Sequence, residues 1–169
     1  MNEFAAYQIP FLGLKPGIHS FEFELDDSFF ASFEHSEIEQ ADIHADVKLD
    51  KQSTMLVLDF HLTGTVGAVC DRCGGDLEVP IDYTDRLIVK YGEVTGETDD
   101  EILVLGPSEH LLKLHQYLYE YAHLALPSKT VHPTEEECDQ DALNLLDDLR
   151  PGDDEDDIDP RWEALKGLK

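Results

Sequence analysis

Two neighbouring stretches alternate apolar and polar residues so strictly that they leave this chain little choice of fold. In "QADIHADVKLD", Ala41, Ile43, Ala45, Val47 and Leu49 fall on one side of an extended backbone, and Asp42, His44, Asp46, Lys48 and Asp50 on the other. After the polar break "DKQS", Leu56, Leu58, Phe60 and Leu62 repeat the period in "STMLVLDFHLTGTV". Successive side chains of a strand point to opposite faces. The pattern therefore predicts two hairpin strands with one buried and one solvated face.

The flanks extend the same plan. "HSFEFEL" alternates through Phe21, Phe23 and Leu25, and "DDSFFASF" reads as a short helical turn capped by an Asp. "DLEVPIDYTDRLIVKYG" alternates through Leu77, Val79, Ile81 and Tyr83. Its Pro80 marks an edge position or a bulge, because proline cannot donate to a ladder. "EILVLG" is a short strand. In "PSEHLLKLHQYLYEYAHLALP" the period changes: Leu111, Leu114, Leu118 and Tyr121 recur at three and four, which predicts a helix packed on the sheet. Ser108 is its expected N-cap and Pro127 its stop. Beyond Pro127 regularity fades. "CDQDALNLLDDLRPGDDEDDIDP" holds a short amphipathic piece (Leu143, Leu146, Leu149) in an acidic field and is expected to be weakly ordered. The expectation is an α+β fold. An antiparallel, curved sheet or partial barrel with one main packed helix occupies residues 1–132, and an acidic, partly disordered tail residues 133–169.

Charge narrows the function. The 169 residues carry 38 Asp and Glu against 12 Lys and Arg, a net charge of −26. That sign repels nucleic-acid phosphates, argues against direct RNA contact and favours a basic partner, although acidity also serves plain solubility. The first residues show no basic leader, Pro10 interrupts their apolar stretch, and no run reaches the roughly 20 apolar residues of a membrane span. A soluble, cytoplasmic protein is expected, in which three cysteines are not structural disulfides.

"GAVCDRCGGDLEVP" places Cys70 and Cys73 three apart, with two glycines behind, between two strands. A tight turn of this form sets both sulfurs on one edge of a zinc tetrahedron. Cys138, with His132 six positions ahead, would complete a Cys₃His set, but 58 residues separate Cys73 from His132. His44, His61, His115 and His123 are rival ligands. A redox pair normally opens a helix, and here a strand follows. Zinc binding and unmetallated thiols both stay open. Phosphate-binding glycine loops, nucleophile elbows and zinc-protease signatures are absent from the sequence, and helical histidines such as His110, His115 and His123 are usually packing or surface residues.

The chain closes on "DPRWEALKGLK", where Asp159 can cap a short helix with Pro160 at its first position. Trp162, Leu165 and Leu168 then share one face, free to fold back or to dock in a partner's groove.

The strand–"CDRC"–strand meander, the "LALPSKTVHP…C" segment after an amphipathic helix, and the terminal "DPRWEAL" after an acidic linker together resemble the YceD family, the large ribosomal RNA subunit accumulation proteins. The resemblance implies a non-enzymatic role in ribosome biogenesis that supports large-subunit rRNA accumulation. With the charge, it points to a basic ribosomal protein or large-subunit assembly factor as partner, RNA being affected indirectly. Asp159, Pro160, Arg161, Trp162 and Leu165 are the expected partner-binding residues, and Cys70, Cys73, His132 and Cys138 the candidate ligands of one zinc. A second cysteine cluster often follows the Leu-Pro in that family, where this chain offers only His132 and Cys138. One alternative is a small zinc-binding nucleic-acid or regulatory module, which needs a basic patch beyond Arg72, Arg86 and Lys90. Another is a metal-dependent RNA-processing hydrolase, which needs converging carboxylates.

Overall fold

The computed structural model describes residues 4–93, 96–98 and 102–150. Six strands form one open, curved sheet in the order β2-β3-β4-β5-β7-β6. They are β2 (Gly17–Asp26), β3 (Ala41–Lys51), β4 (Met55–Val69), β5 (Asp76–Tyr91), β6 (Gly96–Thr98) and β7 (Ile102–Leu105). β1 (Gln8–Ile9) and β8 (Leu112–Lys113) pair separately. Among the described residues three α-helices, α1 (Asp27–Ala31), α2 (His115–Leu124) and α3 (Gln140–Asp148), complete the α+β fold.

The alternating residues set the register. Ala45 lies opposite Leu62, Val47 opposite Phe60 and Leu49 opposite Leu58. All six are buried. A slip of one residue would turn this whole row to water. Val79, Ile81, Leu87 and Val89 continue the buried face on β5. Phe29 and Phe30 of α1, and Leu118, Tyr121 and Ala122 of α2, cover it. The opposite face is wet and carries cross-strand pairs: Arg86 Nε to Asp59 at 2.6 Å, His61 to Asp82 at 2.8 Å and His44 to Glu24 at 2.8 Å. Exposed pairs of this kind add little to stability, because water screens them.

Two local devices shape the sheet. Gly64 sits at φ +150°, and a Cβ there would meet Asp42 O and Ile43 Cα of the neighbouring strand, so β4 passes β3 more closely than a side chain allows. Asp26 caps α1 as expected, its carboxylate accepting from the Phe29 amide at 3.0 Å. Pro80 lies opposite Thr65 of β4, on a part of β5 that β7 does not reach, since β7 pairs only with Ile88–Tyr91. The edge reading of Pro80 therefore holds.

Three features depart from the sequence reading. β5 and β7 run parallel, so the sheet is mixed rather than a pure meander. The main helix starts at His115, not after Ser108, and its N-cap Leu114 supplies no side-chain bond. Leu112 and Lys113 are taken by β1 instead, through Ile9↔Leu112 and Gln8↔Lys113. Leu111 is consequently 41% exposed, while Leu114 and Leu118 are buried. Within the stretch expected to be weakly ordered, Gln140–Asp148 forms a helix whose N-cap Asp139 accepts from the Asp141 and Ala142 amides. Among the described residues, no helix is long and apolar enough to cross a membrane.

Candidate metal centre

The turn between β4 and β5 is a compact loop stitched by its own backbone. The Cys70 amide donates to Gly75 O and the Gly74 amide to Cys70 O, each at 2.8 Å. Gly74 takes φ +74°, a conformation that glycine adopts without steric cost, and this turns the chain back under the two sulfurs. The cysteine pair thus sits in a strand-to-strand turn, without a helix N-terminus behind it.

A second segment is pinned against this turn. The Asp71 amide donates to Thr130 O at 2.7 Å, the Thr130 amide returns a bond to Asp71 Oδ2 at 2.7 Å, and Thr130 Oγ1 donates to Val69 O at 3.0 Å. These bonds deliver His132, two residues on, to the sulfurs. The chain then winds through a 3₁₀ turn, Glu135–Glu137, and buries Cys138.

The ligand atoms of Cys70, Cys73, His132 and Cys138 all lie within 4.8 Å of one another. His132 Nδ1 is 3.6 Å from Cys73 Sγ and 3.7 Å from Cys138 Sγ. A tetrahedral zinc with ordinary Zn–S and Zn–N bonds separates sulfur from nitrogen by about 3.6 Å. The four residues could hold a metal ion such as zinc. The far side of the imidazole fits the same use: His132 Nε2 contacts Asp76 O at 3.2 Å. A carbonyl only accepts, so it fixes the proton on Nε2 and leaves the Nδ1 lone pair facing the sulfurs, as a ligand histidine requires.

The electrostatics favour the thiolate at Cys70 and Cys73 but not at Cys138. Burial alone would push the Cys70 thiol up, but the backbone amides of His132, Arg72 and Cys73 outweigh it and bring the group down to about 6. The amides of Asp139 and Gly75 lower Cys73. Burial, with Cys73 alongside, raises Cys138. Arg72 Nη1, 3.7 Å from Cys138 Sγ, supplies positive charge at that sulfur. The hydrogen bond with Cys70 raises the His132 imidazole against the opposing effect of burial.

The four predicted ligands are therefore brought together, and the rival histidines are not. His44 and His61 pair with carboxylates on the wet face of the sheet. His115 stacks on Phe4 at 4.3 Å, and His123 bonds Tyr119 O. His110, expected on the helix, precedes it and is exposed. Sequence reasoning missed Thr130 and the Asp76 carbonyl, which orient the site through main-chain geometry that composition does not record. It named Arg72 only as a would-be basic patch. The terminal residues Asp159, Pro160, Arg161, Trp162 and Leu165 lie outside the described residues.

A family model described as "Large ribosomal RNA subunit accumulation protein YceD" matches residues 58–169, about two thirds of the chain. No curated protein and no solved structure gives a significant match.

Proposed function

This chain belongs to the YceD family of large ribosomal RNA subunit accumulation proteins, and from that premise we propose that it supports rRNA accumulation without catalysis, by binding a basic ribosomal protein or large-subunit assembly factor in the cytoplasm. The family name implies the role in large-subunit rRNA accumulation. The observation that carries the protein partner is charge. A net −26 repels a polyphosphate and attracts a polycation. A cleft of about 470 Å³ beside the cysteine turn follows the same sign, being lined by Glu37, Glu39, Asp76 and Glu78 with no Lys or Arg.

Zinc in this reading is structural. A Cys₃His set already supplies four protein ligands, the number of a closed structural site, whereas catalytic zinc keeps one position for water. The metal would clasp the acidic C-terminal arm to the β4–β5 turn and so hold it in a defined place for a partner. The cluster also favours a second reading, a zinc-binding regulatory module; the scarcity of basic side chains speaks against nucleic acid as its ligand.

Binding of the purified, zinc-loaded protein to individual large-subunit proteins and to rRNA, at physiological salt, tests the proposal. Micromolar or tighter binding to a basic ribosomal protein, weakened by added salt, is the expected result. Binding to rRNA with no affinity for any basic ribosomal protein or assembly factor would overturn it.

A further inference from the structure

α3 is amphipathic to a degree that demands a partner. On a helical wheel Ala142, Leu143, Leu145, Leu146 and Leu149 fall within an arc of about 160°, while Asp141, Asn144, Asp147 and Asp148 occupy the rest. Such a stripe ordinarily faces a core. Here Leu145 is 59%, Leu146 50% and Leu149 70% exposed, and none of them packs on the hydrophobic core of the sheet. Three large apolar side chains along little more than one helical turn thus face outward from an otherwise acidic arm.

We propose that the chain's own terminal segment, Pro160–Lys169, covers this face in the free protein, seating Trp162, Leu165 and Leu168 on Leu145, Leu146 and Leu149. Apolar pattern, charge and tether all select this occupant. Its apolar residues recur at three-residue steps, the spacing of a short helical face laid along a groove. It holds Arg161, Lys166 and Lys169, three of the chain's 12 Lys and Arg, against the single acid Glu163. That basic character complements Asp141, Asp147 and Asp148 bordering the leucines. Arg150–Asp159 is a ten-residue connection, which spans up to roughly 35 Å when extended. α3 itself is only about 14 Å long, so the tether reaches every part of the face. A tether of this length also gives an effective concentration on the order of millimolar. At micromolar protein the chain's own segment therefore outcompetes a second copy by about a thousandfold. The proposal does not depend on which partner the protein has, or on zinc chemistry beyond the placement of α3.

Trp162 is the chain's single tryptophan and reports on the contact directly. Emission and acrylamide quenching of the full-length, metal-loaded protein at low micromolar concentration are compared with those of the free peptide DPRWEALKGLK. Blue-shifted emission and a quenching constant several-fold below the peptide's are expected, both unchanged on dilution. In Leu145→Asp/Leu149→Asp both values should move to the peptide's. The milder Asp147→Lys/Asp148→Lys should raise quenching by a smaller factor, and Ile18→Asp, on the far strand β2, should change nothing. The proposal is overturned if Trp162 in the intact chain already behaves as in the peptide. It also fails if its burial survives both α3 variants, which places the segment elsewhere, or if burial vanishes on dilution, which makes the occupant a second copy.

Discussion

The sheet and the C-terminal arm are held by different physics. Between Ala41 and Val89 the chain buries row upon row of apolar side chains, and the register follows from that burial. Between Pro127 and Arg150 burial nearly disappears. Cys138 is the one buried residue there, and the leucines of α3 face outward. What fixes the arm is a set of directional contacts: Thr130 on Asp71 and Val69, His132 on Asp76 O, and three sulfurs gathered round one imidazole. A region too polar to bury a core can still be placed if a few strong ligand contacts replace it, as a structural zinc does in domains that lack one.

That contrast can be broken from either side. The largest effect belongs to the sheet. Leu58→Ala, at a fully buried position, should cost about 2–5 kcal/mol, read as a fall in the urea midpoint. Its folded fraction should still bind metal one to one; loss of metal binding in that fraction would show that the two regions are not separate. Gly64→Ala comes next, at about 1–3 kcal/mol, because its new Cβ meets the β3 backbone, which cannot swing aside as a side-chain tip would. Thermal unfolding reads it, and an unchanged midpoint would mean that the close approach of β3 and β4 is not needed.

Arg72→Ala probes the other side. Removing its contact with Cys138 Sγ should weaken zinc affinity by about 10–100-fold in a chelator competition. The urea midpoint of the sheet should hardly move. The smallest effect is Asp26→Ala, which removes the α1 cap and should cost about 0.5–2 kcal/mol. The Ser28 hydroxyl and then the Phe29 amide hold the Asp26 carboxyl below its ordinary value. Its contribution is therefore complete above the unfolded-state value near 3.9 and is lost as pH falls through the lower folded value. The stability–pH curve of Asp26→Ala should be flatter in that acidic window, and an identical curve would remove the carboxylate from the account.

The same contrast explains what was legible in the sequence. The strands were, because period-two alternation is itself the burial pattern: Val47, Phe60 and Ile81 each announce which way they face. The four candidate ligands were also readable as residue types, but not the path that joins them. The 58 residues after Cys73 return to the turn because β5, β7, β8 and α2 carry the chain out and back. The start of α2 was misplaced because Leu111 and Leu114 fit a helical stripe equally well. A two-residue pairing with Gln8–Ile9, a tertiary contact no local pattern encodes, claims Leu112 and Lys113. The parallel pairing of β7 was hidden for the same reason: "EILVLG" reads as a strand whichever neighbour it takes.

The most direct test of the central claim, that a Cys₃His metal clasp places the arm while burial alone holds the sheet, is hydrogen exchange of the purified protein before and after chelation, with metal quantified in the same samples. One zinc per chain is expected. Its removal should deprotect the amides of Asp71, Thr130 and α3, while those of β3 and β4 keep their protection. A metal-free protein whose arm is fully protected, or a sheet that unfolds together with the arm on chelation, would contradict it.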